Sequence, residues 1–201
     1  MTQSQDITGP FYFIGLAGTG MSAIAQYLSL SGEKVSGSDR RFGAPDKSQD
    51  QVKLEKMQIQ CLPQDGSSLN RGISTVIIST AIEEDNLDLK KARDLGLRII
   101  HRSDALAWIA SQKKSICVSG TSGKSTTTAM IYHILKQCGR KPSLLTGAGI
   151  QDLINEGKIG NADFQEGQYV VMEADESDGS LVKYHPTIGL CLNIDRDHKE
   201  Y

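Results

Sequence analysis

The sequence contains no apolar run near the roughly 20 residues that a membrane-spanning helix needs. Its polar start, MTQSQDITGP, has no basic stretch leading into an apolar one, so no secretory signal is visible. There is no basic excess either. Lys and Arg number 22 against 24 Asp and Glu, a formal net charge of −2, which argues against an extended nucleic-acid face. The four cysteines (Cys61, Cys117, Cys138 and Cys191) show no C-x₂₋₄-C spacing, which speaks against zinc and for reduced thiols in a cytoplasmic protein. What is present is ordinary: 201 residues, 38% hydrophobic and 23% charged, enough to build a core in one long or two short domains.

Short apolar runs alternate with helical patterns along the chain, the mark of parallel α/β architecture. YFIGL (12–16), KVSGSD (34–39), STVIIST (74–80) and LRIIH (97–101) read as strands, and residues 20–30 as a helix. SDALAWIA is expected to form a helix capped by Ser103. Past the polar SQKK (111–114) the pattern restarts, which sets a boundary near residue 112: domains at 1–112 and 113–201. The second contains strands at SICVSG, PSLLTG (142–147), QYVVMEA (168–174) and TIGLCLNID (187–195), with a helix through GKSTTTAMIYHILKQCG. QDLINEGKIGNADFQEG is expected to be mostly irregular. The chain stops at DRDHKEY, directly after a buried-strand pattern with no closing helix, and the expectation is a truncated second domain.

Four segments have residues suited to chemistry. GLAGTG (15–20) joins a strand to a helix, where exposed N–H groups and the helix dipole favour a phosphate. Asp39, at the end of the second strand, stands about where an acidic residue meets a ribose hydroxyl. The glycines alone would also serve close strand–helix packing. GTSGKS (120–125) sits in the same strand–loop–helix context, with Lys124 able to reach phosphates and Ser125 able to ligate Mg²⁺. A merely capped helix start leaves its four hydroxyls, Ser125 to Thr128, unexplained, because they are poor helix formers. In MEADESDGS (172–180), Glu173 follows the apolar run directly and is the leading metal ligand among Glu173, Asp175, Glu176 and Asp178. In NIDRDH (193–198), Asn193 and His198 end a strand at the same sheet edge, whereas His133 and His185 fit ordinary structural or solvated positions.

Together these segments resemble the Mur ligase family, the ATP-dependent amide-forming enzymes of peptidoglycan assembly. The likeness covers nearly the whole chain. The family's shortened phosphate loop, G-T-x-G-K-[ST], matches Gly120, Thr121, Ser122, Gly123, Lys124 and Ser125, with Val118 as strand core where a longer loop would have its first glycine. FIGLAGTGMSAIA (13–25), SGSD (36–39), STAIEEDN (79–86), HRSDALAWI (101–109), EADESDGS (173–180) and NIDRDH are similar to the members that add L-alanine to UDP-N-acetylmuramate. The chain departs from that branch in Ser122, where the family has His, and Ala17, where it has Gly. Members that recycle muropeptides onto the same sugar acid are one alternative, and a non-catalytic UDP-sugar-binding module is another. A dinucleotide oxidoreductase built on GLAGTG ranks last, since it leaves the other three motifs without a role.

The resemblance implies a Rossmann-like first domain for the UDP-sugar and the start of a P-loop ATPase-type second domain. Gly15, Gly18, Thr19 and Gly20 would face the diphosphate, and Ser38 and Asp39 the uridine end, with Ser79, Thr80, His101 and Arg102 as further contacts. Residues Gly120 to Thr126 would hold ATP. Lys124, Glu173 and His198 would be catalytic, and Ser125, Glu173 and His198 would bind Mg²⁺. The implied reaction phosphorylates the lactyl carboxylate, after which an amino group displaces phosphate from the acyl phosphate.

Overall fold

A computed structural model describes residues 7–174 and 180–195. Contacts divide the chain into two compact units, Met1–Ala105 and Leu106–Tyr201. The family resemblance and the restart of the βα pattern predict the division a few residues later, near 112.

In the first unit the apolar runs become short parallel strands. Strand β1 (Phe11–Ile14), helix α1 (Thr19–Leu30), β2 (Val35–Asp39), α2 (Gln49–Lys56), β3 (Gln60–Pro63), β4 (Thr75–Ile78), α3 (Leu87–Asp94) and β5 (Arg98–His101) follow in chain order. They form a parallel sheet of order β3-β2-β1-β4-β5. β1 takes the centre because all four of its residues, FYFI, are fully buried, as a strand covered on both faces requires. β3 (QCLP) lies at the edge, where Pro63 costs no ladder bond. The winding reverses between β1 and β4. The carboxyl ends of those two strands therefore flank the crevice in which such sheets bind ligands. Tyr12, Ile14, Leu69, Val76, Leu89 and Ala92 form a core on one side of this sheet.

Helix α4 (Arg102–Gln112) crosses the division. Ser103 is not its cap but its second residue. The cap is His101, whose Nδ1 accepts from the Ser103 N–H at 3.2 Å, while the Asp104 carboxylate reaches back to the His101 N–H at 3.3 Å. This is the reciprocal logic of a capping box, with an imidazole in place of a hydroxyl.

The second unit contains β6 (Lys114–Ser119), α5 (Lys124–Gln137), β7 (Ser143–Leu145), α6 (Gln151–Asn155), β8 (Ala162–Asp163), β9 (Tyr169–Glu173), a short 3₁₀ turn (Ser180–Lys183) and β10 (Ile188–Cys191). The sheet order is β10-β6-β9-β7-β8, parallel except for the β7–β8 pair. Ile116, Tyr132, Leu144, Leu153 and Val171 form a core here. The stretch expected to be irregular contains both α6 and β8. It is ordered by a buried polar knot: Asp163 accepts from Tyr132 Oη at 2.7 Å and pairs with Lys158 Nζ at 2.7 Å. Burial and the Asp163 contact both push the Tyr132 hydroxyl pKa upward. Among the described residues no helix is long and apolar enough to cross a membrane.

Candidate nucleotide-binding sites

The turn 15–20 leaves β1 and opens α1. Ser38 O accepts from the N–H groups of Gly15 and Leu16 at 2.8 and 2.9 Å, and Asp39 Oδ2 accepts from Ala17 N at 2.9 Å. The other Asp39 oxygen accepts from Arg41 N at 3.0 Å and Nε at 3.2 Å. Asp39, expected to meet a ribose, thus spends its carboxylate on holding the turn. No side chain caps α1 at Gly18, whereas Ser48 caps α2 and Asn86 caps α3. An uncapped first turn with its N–H groups toward the loop is a ready anion site. Arg102 lies over it: a Cβ added at Gly20 would stand 2.8 Å from Arg102 Nη1. Ser79 and Thr80 follow β4 across the crevice, and Ile82 of the same loop approaches to 3.1 Å of where a Gly15 Cβ would be.

The turn 120–125 repeats this construction after β6 with different side chains. Gly120 and Gly123 take φ of +136° and +85°, a region that L side chains rarely adopt. A Cβ at Gly120 would also press on the Asn193 backbone at 3.2 Å. Asn193 clasps the loop from both sides: Oδ1 accepts from Ser122 N at 2.9 Å, and Nδ2 donates to Ser122 O at 3.0 Å. Thr121 Oγ1 accepts from Asp195 N at 3.0 Å. Helix α5 is again without a side-chain cap. Lys124 Nζ folds back to donate to Gly120 O at 2.6 Å and Thr121 O at 3.4 Å. Ser125 Oγ stands 3.0 and 3.1 Å from the two oxygens of Glu173 at the tip of β9. The same carboxylate accepts from Thr146 Oγ1 at 3.0 Å and Gly147 N at 2.7 Å, both just past β7.

Two family descriptions match the chain. "Mur ligase family, catalytic domain" covers residues 10–114, and "Mur ligase middle domain" covers 118–201. The chain belongs to the Mur ligase family. Curated relatives include the UDP-N-acetylmuramate–L-alanine ligases of Thermosynechococcus vestitus, 42% identical over 96% of this chain, and of Nostoc punctiforme, 40% identical over 100% of this chain. The chain covers 39% and 44% of those two proteins, about two-fifths of their length. Among solved structures, UDP-N-acetylmuramate–alanine ligase of Thermotoga maritima superposes with a TM-score of 0.81 at 29% identity, over 94% of this chain and 42% of that one.

Asp39 apart, the residues singled out from sequence fall into four groups in this Mur ligase chain. Gly15, Gly18, Thr19, Gly20, Ser79, Thr80 and Arg102 gather around the first turn, and Gly120 to Thr126 with Glu173 around the second. Ser38 and His101 form a further group, with side-chain atoms engaged within the fold. The Ser38 hydroxyl is fully buried and donates to Asp88, so it faces the interior, and the His101 Nδ1 serves as a helix cap and also lies 2.7 Å from Ser103 Oγ. His198, Asp175, Glu176 and Asp178 lie outside the described residues. Thr146 and Gly147 escaped sequence reasoning, because PSLLTG reads only as a strand, which ends at Leu145. Burial pushes the Cys117 thiol up to about 11, which removes it as a nucleophile.

Proposed function

We propose that this chain is the nucleotide-handling part of a peptidoglycan ligase that joins L-alanine to UDP-N-acetylmuramate at the expense of ATP. The observation that carries the proposal is the second turn: an uncapped α5, a lysine within the loop and a hydroxyl–carboxylate pair 3.0 Å apart. An isolated glycine-rich turn needs none of these.

The donor set suits Mg²⁺. That ion takes oxygen ligands at about 2.0–2.1 Å in near-octahedral geometry, which sets adjacent ligand oxygens about 3 Å apart. Ser125 Oγ and the Glu173 oxygens already stand at 3.0 and 3.1 Å. One carboxylate and one hydroxyl are enough, since Mg²⁺ keeps several waters and adds phosphate oxygens. When bound, the ion would neutralise charge on the ATP phosphates. Thr146 and Gly147 hold the Glu173 carboxylate in place for it. His198 would complete the set.

ATP phosphates would lie on the N–H groups of residues 120–125, with Lys124 turning from the loop carbonyls to the transferred phosphoryl. The diphosphate of the UDP-sugar would lie on the first turn of α1 beneath Arg102. In the reaction the lactyl carboxylate oxygen attacks the γ-phosphorus and ADP departs. The amine nitrogen then attacks the acyl carbon, phosphate leaves with the former carboxylate oxygen, and the nitrogen gives up a proton. The protein supplies orientation and charge stabilisation for both steps. Nucleotide substrates of this kind and four free cysteines support a cytoplasmic location.

Calorimetric titration of the chain with ATP in Mg²⁺, with UDP and with NADH tests this. The expected result is binding of the first two at separate sites and none of NADH. NADH binding without ATP binding would overturn it.

A further inference from the structure

The side chains that occupy the ligand turns do not include Asp88, yet Asp88 is fully buried and joins four elements of the first unit. It is the second residue of α3, whose start is capped by Asn86 Oδ1 accepting from the Asp88 and Leu89 N–H groups at 3.0 and 3.1 Å. Its carboxyl oxygens take three neutral donors. Tyr12 Oη of β1 donates to Oδ2 at 3.2 Å, Gly66 N of the segment after β3 donates to Oδ1 at 2.5 Å, and the Ser38 hydroxyl of β2 makes a short contact with Oδ2. A carboxyl group so placed is expensive to bury, and a well-packed apolar residue would serve stability as well. Its partners show what it adds.

Ser38 is the residue whose carbonyl receives the Gly15 and Leu16 N–H groups, and its neighbour Asp39 receives that of Ala17. The backbone ties of residues 15–17 to the sheet therefore run to two consecutive residues of β2, and one of these is pinned from below by Asp88. We infer that Asp88 is a positioning residue for the 15–20 turn: through the Ser38 hydroxyl it fixes the end of β2, and the carbonyl of Ser38 then fixes the first N–H groups of the turn. This rests on the assignment of that turn to the nucleotide-sugar diphosphate. What it adds is the distal group that keeps the turn in its anion-binding shape.

The test is amide hydrogen exchange of the full chain, read at Gly15 and Leu16 and, as reference, at the amides of β4. Asp88→Asn and Ser38→Ala are each expected to lower protection at Gly15 and Leu16 by about tenfold, the weight of one buried hydrogen bond. Protection in β4 should fall less. The double variant should lose no more than the larger single effect, because both changes cut the same link. Tyr12→Phe removes a donor to the same carboxyl and a hydroxyl contact with Ser38 but leaves the Ser38–Asp88 bond in place, and should leave the turn within about twofold of wild type. If Asp88→Asn does not fold, the contrast between Ser38→Ala and Tyr12→Phe decides alone. Equal loss of protection in the turn and β4, independent effects in the double variant, or equal effects of Ser38→Ala and Tyr12→Phe would each overturn the inference. UDP affinity, measured in parallel, should follow the exchange result at the turn. A wild-type chain that ignores UDP removes the ligand assignment while the exchange experiment still judges Asp88.

Discussion

The two glycine-rich turns share one backbone plan and differ in what supports them. Each leaves a buried parallel strand and opens a helix without a side-chain cap. The turn at 15–20 has no cation of its own. It is tied to the neighbouring strand by Ser38 and Asp39, and its positive charge comes from Arg102, far along the chain. The turn at 120–125 contains Lys124 and Ser125 within it and finds its carboxylate, Glu173, one strand away. On the proposed function, backbone geometry offers N–H groups to an anion in both places, and the side chains decide which anion each would take. A diphosphate that is only held needs donors and one guanidinium. A triphosphate that is cleaved needs a mobile cation and an oxygen pair for a metal.

The strongest way to break this distinction is Lys124→Ala. If the lysine belongs to the ATP site, removing its charge-assisted contacts costs about 1.5–3 kcal/mol, a loss of ATP affinity of roughly ten- to a hundredfold. UDP affinity should not change. In a full-length ligase the same change should nearly abolish turnover, since one preorganised charge-stabilising donor is worth about 3–4 kcal/mol in the transition state. Normal turnover there, or a parallel loss of UDP binding, would contradict the division of labour.

Glu173→Gln comes next. With its oxygen in the Oε2 position the amide still accepts from Ser125, Thr146 and Gly147, and its NH₂ group can donate to Ser125 Oγ, so what is lost is the charge. The expected destabilisation is about 1 kcal/mol, the loss of charge assistance to these bonds, read from denaturant unfolding. The more telling readout is Mg²⁺: it should strengthen ATP binding to the wild type and have little effect on the variant.

Much of this contrast is legible in the chain before folding, and the reasons for what is not are physical. Gly120, Gly123 and Lys124 stand out because left-handed backbone and phosphate contact admit few residue types. β3, α2 and α3 do not stand out: β3 is a four-residue edge strand, and the two helices span eight residues each, mostly polar. Asp88 is hidden for a different reason. In NLDLKKARD it looks like the acidic first turn of a solvated helix, and only β1 and β2, far away in sequence, turn it inward. Thr146 is hidden in the same way, since a carboxylate on another strand gives its hydroxyl a purpose.

Gly20→Ala sharpens the comparison from the first turn. Gly20 lies within α1 without a positive φ, so alanine should stabilise the helix by roughly 0.5–1 kcal/mol. Its Cβ, however, would meet Arg102 Nη1 at 2.8 Å and displace the guanidinium from the helix start. Expected together are a higher melting temperature and UDP binding weaker by about tenfold, the value of one charge-assisted contact. ATP binding should be untouched. A variant both more stable and unaltered toward UDP would remove Arg102 from the site.

The smallest effect is expected where the family pattern and this chain differ most visibly, at Ser122. The loop is held there through the backbone, with Asn193 accepting from Ser122 N and donating to Ser122 O, while the side chain is exposed. Nothing in that clasp depends on what the side chain is. Ser122→His, which restores the residue common in the alanine-adding branch, should therefore change stability by less than about 0.5 kcal/mol. ATP affinity should shift only slightly, as measured by the same titration. Asn193→Ala should do more, because it releases both backbone contacts at once. A large gain in ATP affinity from Ser122→His would mean that the imidazole itself reaches the phosphates, and that the second turn relies on a side chain this protein has replaced.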